Sequence, residues 1–330
     1  MRSVLSVLDL VVEFATPAGR VRAVDGVSLE LQEGEILALV GESGSGKTLT
    51  ALAVLGLLPP PGRVLAGRVF FQERNILRLP ERELALLRGR ALAMVFQDPL
   101  SALHPMLTIE RQMTEALEHH ERIPHRKARA RAAAALAEVG LSDAERLLAA
   151  HPRQLSGGMR QRVLIAMAVC LRPKVLFADE PTTALDASLQ AEVLALLVGL
   201  ARRHGMALVL ISHDLARVAE VADRVQVLYA GRTVEVAPTA ELFRRPLHPY
   251  TRALLASVPR LDGPIEFPLP SIPGQPPDPL RRPEGCAFHP RCALVQASCK
   301  ARVPTLDEVR GASGRHSACL EVQALLEERA

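Results

Sequence analysis

The run Gly41-Glu42-Ser43-Gly44-Ser45-Gly46-Lys47-Thr48 has the residue types and spacing of a phosphate cradle. Gly41, Gly44 and Gly46 permit positive φ and close backbone approach. Lys47 carries charge to β- and γ-phosphates, and Thr48 offers a hydroxyl to magnesium. A chance glycine turn would need neither Lys47 nor Thr48. The run follows one apolar stretch, 36–40, and precedes another, 49–58, so its context is strand, loop, helix. A second phosphate-suited helix start is Ser156-Gly157-Gly158, where a serine and two glycines free backbone N–H groups ahead of an apolar run at 163–171. A plain serine cap is the other reading of Ser156.

Four short, continuous apolar runs, 36–40, 91–96, 175–178 and 207–211, read as strands of a parallel sheet covered on both faces. Each ends in polar residues: the phosphate loop, Gln97-Asp98, Asp179-Glu180 and Ser212-His213-Asp214. Ligands of such sheets bind at the carboxyl ends of strands, so these ends can converge on one nucleotide. There Asp179 holds a magnesium shell, Glu180 orients and deprotonates the attacking water, Gln97 binds metal or water, and His213 donates to the γ-phosphate. A solvated acidic pair, a surface glutamine and a structural histidine are the alternatives for each residue taken singly.

The rest of the chain must position these groups. Alternation over 4–31, with turn signals at Pro17-Ala18-Gly19 and Asp25-Gly26, indicates antiparallel strands. The alanine-, arginine- and leucine-rich stretch between Gln97 and Leu155, notably 126–139, has helical composition. His119 and His120 read as a solvated face. Prolines at 264, 268, 270, 273, 276, 277, 279 and 283 mark an extended linker. With 330 residues and 48% apolar content the chain can bury a full core, and a formal charge of +4 without a Lys/Arg block gives no reason to expect nucleic acid. The N-terminus lacks the pattern of a secretory signal, and no window reaches the roughly 18 apolar residues that span a bilayer.

Four of the five cysteines, Cys286, Cys292, Cys299 and Cys319, follow the proline stretch. Four thiolates suit a soft metal or an iron–sulfur cluster. Zinc is the second reading, since its structural sites usually contain close Cys pairs, and a disulfide is the third, given a reducing cytosol. His289 and His316 are near enough in sequence to replace a cysteine. Cys170, in the apolar run after the second helix start, reads as a core residue.

The phosphate loop, Gln97, the 155–162 run, Asp179-Glu180, Ala184-Leu185-Asp186 and His213 occur in the order found in ATP-binding cassette ATPases, which residues 1 to about 240 resemble. The run 242–254, with His248-Pro249-Tyr250, and the run 96–105 resemble the oligopeptide, dipeptide and nickel importer branch, although His104 stands where asparagine is common. The HPY run itself reads as a packing turn. The resemblance implies an α/β fold: a P-loop NTPase (RecA-like) core with an N-terminal antiparallel β subdomain and an inserted helical subdomain at about 98–155. It also implies a C-terminal extension over 241–330, with a Pro-rich linker at 259–283 and a four-Cys module at 286–319. Phe14 falls where the family places an adenine-stacking ring, with a core phenylalanine as the alternative.

By the same resemblance two ATPase subunits dock head to tail, so that Ser156, Gly157 and Gly158 contact ATP held by the partner's loop and Asp186 lies at the boundary. Relatives with this cysteine spacing are associated with a [4Fe–4S] cluster. The implied activity is ATP hydrolysis, with ATP and Mg²⁺, driving import of di- or oligopeptides or a related small substrate. The implied partners are a second ATPase subunit, identical or homologous, two multi-span membrane permease subunits and, indirectly, an extracytoplasmic binding protein. The chain would then sit peripherally on the cytoplasmic face of the inner membrane. A soluble cassette ATPase of DNA repair or translation, and a metal- or redox-responsive regulatory ATPase, are the rival readings.

Overall fold

The computed structural model describes residues 3–183, 186–258 and 271–327. Part of the proline-rich linker, 259–270, and Ala184-Leu185 therefore lie outside the described residues. In chain order the strands are β1 (Ser3–Thr16), β2 (Gly19–Gln32), β3 (Ile36–Val40), β4 (Gly62–Phe71), β5 (Arg74–Asn75), β6 (Leu92–Val95), β7 (Val175–Asp179), β8 (Ala207–Ile211), β9 (Arg224–Tyr229), β10 (Arg232–Pro238), β11 (Asp307–Glu308) and β12 (His316–Ser317). The chain divides into two compact units, each assembled from distant stretches of sequence.

One unit takes residues up to Leu5, Leu31–Ile36 and Arg78–Leu210. Its strands lie in the order β8-β7-β6. β6 and β7 are parallel, with Leu92 opposite Val175 and Val95 opposite Ala178. Every residue of β7 and β8 is buried, as continuous apolar runs require when both faces are covered. The predicted helical stretch forms Ile109–Glu121, His125–Glu138 and Ala144–Ala149. Ile109, Met113 and Leu117, spaced four apart, bury one stripe, and Ala128, Ala132 and Leu136 bury another. On the outside His125 bonds Glu118 and Glu110 at 2.6 and 3.0 Å, and Arg129 joins Glu110 to Glu145. His119 is exposed as expected, whereas His120 is half-buried, and its ring would lie 3.5 Å from a Cβ at Gly89.

The other unit takes Ser6–Glu30, Leu37–Leu77 and the chain from Ile211 onward. One sheet has the order β2-β1-β4-β5, so the predicted N-terminal β region is present. The strands β11-β12-β10-β9-β3 form a second set. β3 runs parallel to β9, with Val40 opposite Val227, and β10 returns antiparallel. The C-terminal extension continues this sheet: β12 pairs with β10, Glu235 opposite Ser317. Glu235 is fully buried and accepts from the N–H groups of Leu247 and His248 at 2.8 and 2.9 Å. A buried carboxylate is tolerable only with such donors. Near the end of the proline-rich linker, Arg282 bonds Asp25 at 2.7 Å.

Candidate nucleotide site

The phosphate loop leaves β3 and enters the helix Lys47–Leu55. At Gly41, φ is 146° and a Cβ would fall 2.1 Å from the Leu228 carbonyl oxygen; at Gly46, φ is 100° and a Cβ would fall 2.8 Å from the Ala23 oxygen. Only glycine satisfies both backbone and space there. Lys47 is buried, and its Nζ donates to Gly41 O at 2.8 Å, Glu42 O at 3.0 Å and Ser45 Oγ at 3.3 Å. The ammonium is thus curled onto its own loop, at a helix start with no side-chain cap and no acidic residue in its first turn. An anion at this helix start would meet the positive end of the helix dipole and the Lys47 charge. Ser43 and Gly44 are exposed at the tip, and Thr48 is half-buried in the first helical turn. Phe14 is half-buried, with its ring against Gly62, where a Cβ would lie 2.6 Å from Cε1 and Cζ. His213 is exposed just beyond β8, followed by Asp214, which caps the helix Leu215–Val221 by accepting from Arg217 N.

In the other unit β6 and β7 end side by side, and their polar ends meet. Gln97 Nε2 donates to Glu180 Oε2 at 3.0 Å, and Thr183 Oγ1 donates to the same carboxylate at 3.0 Å. Asp179 is buried at 4% exposure, while Gln97 is exposed. Glu180 has φ of 43°, a left-handed conformation that costs a non-glycine residue about 1–3 kcal/mol and recurs at functional positions.

The second helix start also forms. Ser156 caps Gly157–Val169, its Oγ accepting from Met159 N at 3.3 Å, and Ser156 and Gly157 are exposed. Gly158 is buried, and a Cβ there would come within 2.5 Å of Leu189 Cδ2. Asp186 caps the helix Ala187–His204, and the hydrogen bond from Leu189 N, with one from Ser188 Oγ, holds its carboxyl below the usual range. The serine-cap reading is therefore real, and Ser156 and Gly157 are exposed at the helix start.

Cys286, Cys292, Cys299 and Cys319 line one pocket together with His248 and His289. Burial pushes the Cys286 and Cys292 thiols up, and Cys319 up to about 12. As they stand, no three His, Cys, Asp or Glu side chains among the described residues are set to hold a metal ion. The His289 Nδ1 lies 3.0 Å from the Cys286 carbonyl oxygen, and His316 is in β12. Cys170 is a core residue as expected, 8% exposed, with burial raising its pKa to about 11.

Sequence reasoning missed what stands behind the phosphate loop. Tyr250 and Arg291 reach Glu42 from 208 and 249 residues away. His248-Pro249-Tyr250 does form a packing turn: His248 is buried and its Nδ1 accepts from Tyr250 N. No local pattern announces the Tyr250 hydroxyl or Arg291 as partners of the loop.

The geometry agrees with the comparisons. The family described as ABC transporter matches residues 24–183, and the oligopeptide/dipeptide transporter C-terminal region matches residues 234–299. The oligopeptide transport ATP-binding protein OppD of Escherichia coli (strain K12) is 45% identical over 98% of this chain and 95% of its own. The dipeptide transport ATP-binding protein DppD of Bacillus subtilis (strain 168) is 45% identical over 92% and 91%. A putative peptide import ATP-binding protein of Brucella abortus (strain 2308) is 46% identical over 94% and 93%. Among solved structures, the ATP-binding cassette MJ0796, a dimer bound to ADP and Pi, superposes with a TM-score of 0.64 at 27% identity, covering 71% of this chain and 98% of that one. With both an ATP cassette and the oligopeptide/dipeptide transporter C-terminal region, the chain belongs to the ABC transporter family, as an ATP-hydrolysing subunit.

Proposed function

We propose that this subunit powers import of di- or oligopeptides through separate membrane permease subunits, working as a head-to-tail dimer with an identical or homologous ATPase subunit. The observation that carries the reading is the match of residues 234–299 to the oligopeptide/dipeptide transporter C-terminal region, on a chain that aligns end to end with peptide-transport ATPases. No helix among the described residues is long and apolar enough to cross a membrane. In this role the subunit attaches peripherally at the cytoplasmic face of the inner membrane, and an extracytoplasmic binding protein is an indirect partner that delivers substrate to the permease. In hydrolysis, the loop 41–48 and Lys47 hold the β- and γ-phosphates and Phe14 stacks on adenine. A water oxygen bonds to the γ-phosphorus as the bond to the ADP oxygen breaks, and Glu180 takes the proton from that water. Gln97, 3.0 Å from Glu180, orients the water, and His213 donates to the γ-phosphate. Thr48, Asp179 and Gln97 would hold Mg²⁺, which neutralises developing phosphate charge. Ser156, Gly157 and Gly158 close on the partner's ATP.

The test is uptake of labelled peptides by cells lacking the gene. Uptake should fall, return with the wild type and stay low with Glu180→Gln. Undiminished uptake in the deletion strain sinks the reading.

The four cysteines gathered round one pocket support a [4Fe–4S] cluster, with zinc second. Either group would supply a four-thiolate cross-link within the extension, displacing thiol protons as it binds. Anaerobically purified protein should show the cluster's visible absorption together with iron; colourless protein with one zinc would reject the cluster.

A further inference from the structure

Glu42 is the second residue of the phosphate loop, and every polar group it has is engaged. Its N–H donates to the Tyr250 hydroxyl oxygen at 2.8 Å, and its carbonyl accepts from Lys47 Nζ at 3.0 Å. Its carboxylate takes both arms of Arg291, Nη1 to Oε2 at 2.7 Å and Nη2 to Oε1 at 3.0 Å. Arg291 lies between Cys286 and Cys292 in the cysteine module, and its side chain is 4% exposed. Its other donors reach Pro273 O at 2.9 Å, Ile272 O at 3.3 Å and the Tyr229 hydroxyl at 3.3 Å. All the N–H groups of a guanidinium are thereby used, which fixes the fork in place.

Tyr229, at the end of β9, packs on Tyr250 and Phe288 with ring centroids 4.5 and 5.3 Å away. Tyr250 is fully buried, so its hydroxyl is a rigid acceptor rather than a mobile one. An exposed ion pair is worth little, but this one joins a buried arginine to a loop carboxylate in bidentate geometry. The carbonyl that holds Lys47 belongs to the same residue. A loop freed at Glu42 must be reordered each time phosphate binds, and that cost falls on affinity rather than on the chemical step.

We propose that Arg291 and Tyr250 are positioning residues for ATP: acting through Glu42, they hold the phosphate loop in its phosphate-ready shape and tie it to the cysteine module. The proposal rests on the reading of 41–48 as the ATP loop. It is tested by measuring the ATP dissociation constant by displacement of a fluorescent ATP analogue, with KM and kcat, in the full-length protein. Arg291→Ala should raise Kd and KM about tenfold with kcat within about twofold. Arg291→Lys, which keeps charge but loses the fork, should fall between. Glu42→Gln should raise Kd as Arg291→Ala does, and combining the two should add little. Folded variants with wild-type Kd, or single effects that simply multiply, overturn the proposal. Should Arg291→Ala not fold, Glu42→Gln decides alone, because an unchanged Kd there is equally fatal. A wild type that binds no ATP condemns the reading of the loop instead.

Discussion

The two phosphate-suited helix starts of this chain are held by opposite means. The start at Lys47 is fixed from behind by distant residues: Leu228 and Ala23 crowd its glycines, and Tyr250 and Arg291 grip Glu42. The start at Gly157 is held mainly by close neighbours in sequence, Ser156 capping Met159 N and Arg160 Nε donating to Pro152 O at 2.8 Å, and one more distant side chain, Leu189, closes over Gly158. A loop that must bring a lysine against phosphate cannot afford freedom, so the fold braces it over long range. The second start, closed by its own serine cap, has no comparable brace from the far end of the chain among the described residues.

Breaking the braced loop gives the largest effects. Lys47→Ala should abolish ATP binding, measured by nucleotide titration, and Glu180→Gln should keep binding while lowering turnover about 100-fold or more. Next comes the tight packing under the second start. Gly158→Ala places a methyl group against Leu189 and should lower stability by about 1–3 kcal/mol in denaturant unfolding, unless Leu189→Ala is made with it. Ser156→Ala removes one cap and should cost about 1 kcal/mol by the same measurement. The smallest effect belongs to the helical region near that start. Hydrogen bonds with Glu118, then Glu110, raise the pKa of His125 above its ordinary 6.5. Its support is therefore complete below the unfolded value and lost as pH rises through the raised folded value. The gap in melting temperature between wild type and His125→Ala should narrow from about pH 6 to about pH 9.

What the sequence made legible was local. Strand ends, caps and loop glycines are written in short runs: 36–40 and 207–211 are strands at those bounds, and the helix His125–Glu138 lies where composition put one. The meeting of Gln97 with Glu180 followed from two strand ends brought together by a parallel pairing. The Arg291 fork on Glu42 had no such signal, because its partners are 249 residues apart and neither position carries a periodic pattern. His120 departs from its expected exposure for a related reason: residues near Gly89 cover it, and a helix-face reading cannot see them.

The central claim is that Ser156 and Lys47 of different chains act on the same ATP. The residues of both half-sites occur in this chain, so the test uses a wild-type preparation that hydrolyses ATP without any other subunit. Lys47→Ala and Ser156→Arg chains should each be inactive alone, and mixing them should restore ATP hydrolysis, because one intact loop then meets one intact signature. A mixture as inactive as either variant alone would contradict the account.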